Sequence, residues 1–118
     1  LMALSAQAMN ARNFALARSH LDAIVALEPD FAEGWNKRAT VHFLEGDYAS
    51  SIADIRRVLS LEPRHFGALS GLGMILQNIG RKEEALEAFR RALAVHPQMP
   101  AIRQRVEALS LEVEGVDL

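Results

Sequence analysis

The groups able to do chemistry in this chain are few, and their spacing argues against a catalytic centre. Four histidines, His20, His42, His65 and His96, are the side chains suited to hold a metal or move a proton. No two of them stand at the helical spacing of a ligand pair, and three fall at or near helix ends or exposed helix positions. Cysteine is absent, which excludes disulfides and thiolate metal sites and leaves the redox compartment open. Serines are scattered without a histidine and an acid in triad order. Gly67, Gly71, Gly73 and Gly80 lie on or beside a helical segment, not in a loop that could cradle phosphate. The sequence therefore implies no enzyme, no cofactor and no metal.

The elements carrying these residues follow a repeat. Leu27-Glu28-Pro29, Leu61-Glu62-Pro63 and Val95-His96-Pro97 close three segments whose prolines are 34 residues apart, a period that indicates stacked helical units. In that register Phe14 falls over Tyr48, Leu21 over Ile55 and Phe89, Ile24 over Val58 and Ala92, and Gly46 over Gly80. Apolar residues within each unit recur at helical spacing, as in Leu21, Ile24, Val25 and Leu27, or Ile52, Ile55, Val58, Leu59 and Leu61. Gly46 and Gly80 mark the end of a first helix and the prolines the end of a second. The pattern predicts helices at about 2–11, 15–28, 32–45, 49–62, 66–79, 83–96 and 100–113, with Asp30 capping the third and Glu33 as its box partner. The 118 residues fit one domain, and a hydrophobic half of the composition suffices for a modest core.

Charge and hydropathy narrow the partners. A net charge of -2 lacks the basic excess of a phosphate-backbone binder, so nucleic acid is not expected. Arg56-Arg57 and Arg90-Arg91 read as solvated helix faces, with Glu83, Glu84 and Glu87 near the second pair. No run reaches the roughly 18 apolar residues of a membrane span; the nearest, 66–80, is broken by Gln77, Asn78 and glycines, so no membrane insertion is expected. The N-terminal residues do not form a signal peptide.

At these positions the chain resembles the tetratricopeptide repeat. The third unit carries Leu69, Leu72-Gly73, Leu76, Ala85, Phe89, Ala92 and Pro97 along the family pattern of tryptophan, leucine-glycine, tyrosine, alanine, phenylalanine, alanine and proline. The second has Trp35, Gly46-Asp47-Tyr48, Ile55, Val58 and Pro63, but Arg38-Ala39 replaces leucine-glycine, His42 the tyrosine and Ser51 the alanine. The first matches through Ala17, Leu21, Ile24 and Pro29. The resemblance covers roughly residues 1–98 and implies an all-α fold: a right-handed α-solenoid of antiparallel helix pairs. It would hold about three units at about 1–31, 32–65 and 66–99, with 100–113 as a capping helix. An arginine at the leucine position needs a carboxylate, for which Asp22 and Asp54 are candidates. His42 reads as a partly buried imidazole bonded to a neighbour.

The resemblance also implies a function, since arrays of this family bind partners on the face lined by the first helix of each unit. Here that face comprises Asn36, Lys37, Thr40, Phe43 and Leu44, then Ser70, Gly71, Met74, Gln77 and Asn78, with Gln104, Arg105 and Ala108 from the capping helix. Amides, two cations, an aromatic ring and a thioether suit an extended peptide or a short helix of a partner protein. Phe43, Leu44 and Met74 could equally pack against a neighbouring unit. The family's two-carboxylate clamp is not expected: one frame offers Met2, Ala6, Lys37, Gly67 and Gly71, the other Asn36, Thr40, Gly71, Ala101 and Arg105. The alternatives are self-association through an uncapped N-terminal face bearing Leu1 and Leu4, giving a homo-oligomer, or service as an accessory domain of a larger protein. Local sequence at 30–40 and 64–69 resembles small bacterial members that carry an export signal ahead of the repeats. That implies export if such a signal precedes Leu1, and otherwise a cytoplasmic location.

Overall fold

The computed structural model describes residues 1–115. Seven helices follow in order: α1 (Met2–Asn10), α2 (Phe14–Leu27), α3 (Ala32–Leu44), α4 (Tyr48–Leu61), α5 (Phe66–Asn78), α6 (Lys82–Val95) and α7 (Pro100–Glu114). No strand occurs among the described residues. Each helix lies within a residue or so of its predicted span. Connections of three residues (11–13, 45–47, 79–81) alternate with connections of four (28–31, 62–65, 96–99), short enough that helices adjacent in sequence within a unit pack as neighbours.

The three-residue turns share one backbone device. At 46 and 80 a glycine takes positive φ, 80° and 83°. The Gly46 amide donates to Phe43 O and the Asp47 amide to His42 O; Gly80 and Arg81 repeat this to Gln77 O and Leu76 O. Two orphan carbonyls at each helix end are thereby satisfied, in a conformation glycine adopts without steric cost. One period earlier the same bonds run from Arg12 to Met9 O and from Asn13 to Ala8 O, but the left-handed residue is Arg12, at φ 58°.

Caps at helix starts are also periodic. Asn13 and Asp47 each accept from the amide three residues on, Leu16 and Ser50, as short polar side chains do at this position. His65 caps α5 with its imidazole, Nδ1 accepting from the Ala68 amide at 3.0 Å. The expected Asp30 cap is not formed. α3 begins one residue later than that cap requires, with Phe31 at the N-cap and no side-chain cap bond. The Asp30 carboxylate faces Arg57 instead, at 3.4 Å.

The described chain divides into two compact units, Leu1–Pro63 and Arg64 onward. In the N-terminal unit α1 packs on α2, α2 on α3 and α3 on α4. Its core includes Ala8, Ala17, Leu21, Ile24 and Val41, flanked by Met2, Met9 and Phe14. In the C-terminal unit α5 packs on α6 and α6 on α7, with Leu69, Leu76, Phe89 and Leu109 fully buried. The approach of α5 to α6 is set by Gly73: a Cβ there would stand 2.6 Å from the Phe89 ring. The glycine thus admits the phenylalanine.

Candidate functional site

The predicted partner-facing residues fall into two sets, one in each compact unit. In the N-terminal unit Lys37 and Thr40 of α3 join Met2, Ser5, Ala6, Met9 and Asn10 of α1 and Leu21 of α2 in lining a cleft of about 260 Å³. Small-molecule sites run roughly 300–1,000 Å³, so this space fits a few side chains better than a metabolite. Ser5 Oγ donates to Met2 O at 2.8 Å, and Thr40 Oγ1 donates to Asn36 O at 3.2 Å. Lys37 is exposed and makes no ion pair among the described residues. Asn36 is half-buried. Phe43 is half-buried too, its ring tilted against Tyr48 of α4 at 5.6 Å, so much of it belongs to helix packing. Leu44 is exposed.

The sequence reading left the α1 side of this cleft out of the binding face, although the signal was present. Met2, Ala6, Met9 and Asn10 stand one period before Asn36, Thr40, Phe43 and Leu44. They therefore occupy the same inward positions of the first repeat. Leu1 and Leu4 at the start of α1 are about half exposed, at 50% and 47%.

In the C-terminal unit Arg105 and Gln77 meet, Arg105 Nη1 donating to Gln77 Oε1 at 2.8 Å. The guanidinium also lies over the Phe89 ring at 5.7 Å. Met74, Asn78, Gln104 and Ala108 are exposed and Gly71 is half-buried. Ser70 contrasts with them: its hydroxyl oxygen is buried and has no hydrogen-bond partner among the described residues.

Behind the α3 face lies a charged cluster that fixes the helix. Arg38 makes a two-pronged contact with Asp54 of α4, Nε to Oδ2 at 2.9 Å and Nη2 to Oδ1 at 2.8 Å. Its Nη1 reaches Asp22 of α2 at 3.1 Å. Both candidate carboxylates are thus used. Asp54 is buried, at 4% exposure, and its hydrogen bonds hold the Arg38 pKa above an already high value, against the opposing effect of burial. His42 is half-buried with Nε2 at 3.6 Å from Asp54 Oδ2 and Nδ1 at 3.9 Å from Asp47 Oδ2. Ser51, at the family's alanine position, donates to Ala39 O at 2.7 Å. Trp35 sits with its ring 5.1 Å from the Arg38 guanidinium and 5.7 Å from that of Arg57, while its Nε1 donates to Pro29 O. Among the described residues no three histidine or acidic side chains are grouped to hold a metal ion. None of their helices is long and apolar enough to cross a membrane.

A family model described as the tetratricopeptide repeat matches residues 3–60 and 45–100. The chain belongs to the tetratricopeptide repeat family. A TPR repeat-containing protein of Rhizobium etli is 41% identical over 115 residues, covering 98% of this chain and 56% of its own length. Anaphase-promoting complex subunit 3 of Schizosaccharomyces pombe is 29% identical over 90 residues, 71% of this chain and 14% of that protein. The chain thus spans about half, or less, of the length of these curated relatives. Among solved structures it is similar to the first TPR of Spaghetti (RPAP3) bound to an HSP90 peptide, with TM-score 0.86 and 16% identity over 93% of this chain and 87% of that one. It is also similar to the Yersinia enterocolitica type III secretion chaperone SycD in complex with a peptide of the translocator YopD, with TM-score 0.87 and 14% identity over 93% and 89%. At these identities the likeness is one of fold, an all-α helical-repeat solenoid. At TPR positions where the family pattern has apolar packing, Arg38 and Ser51 make hydrogen bonds to Asp54, Asp22 and Ala39 O, and His42 lies 3.6 Å from the Asp54 carboxylate.

Proposed function

We propose that this TPR chain is a non-catalytic protein-interaction module that takes a peptide or short helix of a partner protein on the inward faces of its odd-numbered helices. The observation that carries the reading is the cleft between α1 and α3, lined by an unpaired cation, an amide and thioethers. Its chemistry suits side chains presented by another chain. Two fold neighbours hold peptides, which supports the same class of ligand. In the C-terminal unit, exposed Met74, Asn78 and Gln104 and the half-buried Gln77–Arg105 pair offer further contacts.

The test is affinity capture from the source cell's extract with the full chain, beside a variant carrying alanine at Met9, Lys37, Gln77 and Arg105, with mass-spectrometric identification. A protein held by the parent and lost by the helical, monodisperse variant supports the inward faces as the binding surface. Equal capture by both moves recognition to another surface.

A further inference from the structure

Resting on the reading above, we infer that the α1–α3 cleft of the N-terminal unit selects a partner segment pairing one apolar side chain with one carboxylate, the carboxylate meeting Lys37. The polar inventory of the cleft carries the inference. Two of its hydroxyl protons are already committed, Ser5 to Met2 O and Thr40 to Asn36 O. The side-chain donors left to a ligand are the Lys37 ammonium, which has three and no accepting site, and the Asn10 amide. No acidic side chain lines the cleft, and Lys37 makes no ion pair among the described residues. With no carboxylate in the lining to balance it, the Lys37 charge favours an anion and disfavours a second cation, since like charges brought together at an interface are strongly unfavourable. A carboxylate alone would be held at an exposed site and gain little. The rest of the lining supplies the second half of the selection, with the partly buried thioethers of Met2 and Met9 beside Leu21. Thioethers adapt their shape to whichever apolar side chain enters. A volume of about 260 Å³ admits such a side chain with its neighbouring acid and excludes a drug-sized molecule.

The experiment is selection of a phage-displayed random 12-residue peptide library on the full chain and, in parallel, on Lys37→Glu. Lys37 is exposed and unpaired, so the variant folds, which circular dichroism checks. Parent-selected peptides are expected to share a leucine, methionine or phenylalanine with an aspartate or glutamate within one helical turn. Affinity of the synthetic consensus should fall about tenfold on Lys37→Glu, and replacing its acid by lysine should restore binding to that variant. A parent consensus without an acid, or one bound equally by Lys37→Glu, overturns the inference. If those same peptides are lost on Arg105→Ala with Gln77→Ala, the broader interaction reading stands while this one fails. A library that yields nothing on the parent overturns both.

Discussion

At the scale of single residues, most of the informative positions are those where this chain departs from an apolar repeat. Arg38 and Asp54 are mutually dependent: the two-pronged contact compensates a buried carboxylate, and removing either partner strands the other. We expect Arg38→Leu and Asp54→Ala each to destabilise by about 3 kcal/mol, and the double variant to be little worse than either. Urea denaturation of the four proteins measures the coupling, and an Arg38→Leu variant as stable as the parent removes the ion pair from the stability account. The sequence identified the need for a carboxylate but left Asp22 and Asp54 as alternatives. The choice depended on distances across two helix interfaces, and both turned out to be used. Arg12 is a second departure. It holds the left-handed position that glycine takes at 46 and 80, at a cost only partly offset by its contact over Phe14 at 5.4 Å. Arg12→Gly should raise Tm by about 2 °C, read by thermal melting.

At the scale of elements, periodicity and punctuation were legible, and cap identity less so. Helix spans came out close because apolar spacing, Gly46, Gly80 and the prolines constrain them independently. The Asp30 cap failed because a one-residue shift in the start of α3 moves a side chain from capping to free, and Arg57 was there to take it. The cap that carries charge is Asp47 at the start of α4. The Ser50 side chain and then its backbone amide hold the Asp47 pKa below its ordinary value. A depressed carboxylate contributes stability at pH above its unfolded value, about 3.9, and loses it as pH falls through the lower folded value. We therefore expect Tm of the parent to fall more steeply below pH 4 than that of Asp47→Asn, which keeps a capping oxygen but does not titrate. Parallel slopes would show that the cap has no linkage to pH. Glu114, held low by Arg90, adds to the same acid-side loss in both proteins.

At the scale of the whole molecule, each repeat buries its apolar face only through a neighbour, so ends matter. α7 packs on α6 with Ile102 and Leu109 buried, and Lys82–Glu112 and Arg90–Glu114 pairs at its edge. Ending the chain at Met99 should cost roughly 3–6 kcal/mol, the value of burying two large aliphatic side chains. It should also expose surface that binds a hydrophobic dye. A truncated protein that melts as the parent does would mean that α7 is dispensable.

The sequence alone determined the repeat, the seven helices, the TPR family resemblance and the absence of any recognisable catalytic pattern, because these rest on spacing along one chain. Tertiary structure decided which polar groups were spent and which were free. Ser5, Thr40 and the Arg38 cluster satisfy their hydrogen bonds locally, the Ser70 hydroxyl is buried, and Arg105 holds Gln77. Lys37 is left unpaired beside a thioether-lined cleft that needed α1 to form. Periodicity assigns a residue to a face, but only packing sets the distances over which hydrogen bonds and ion pairs act.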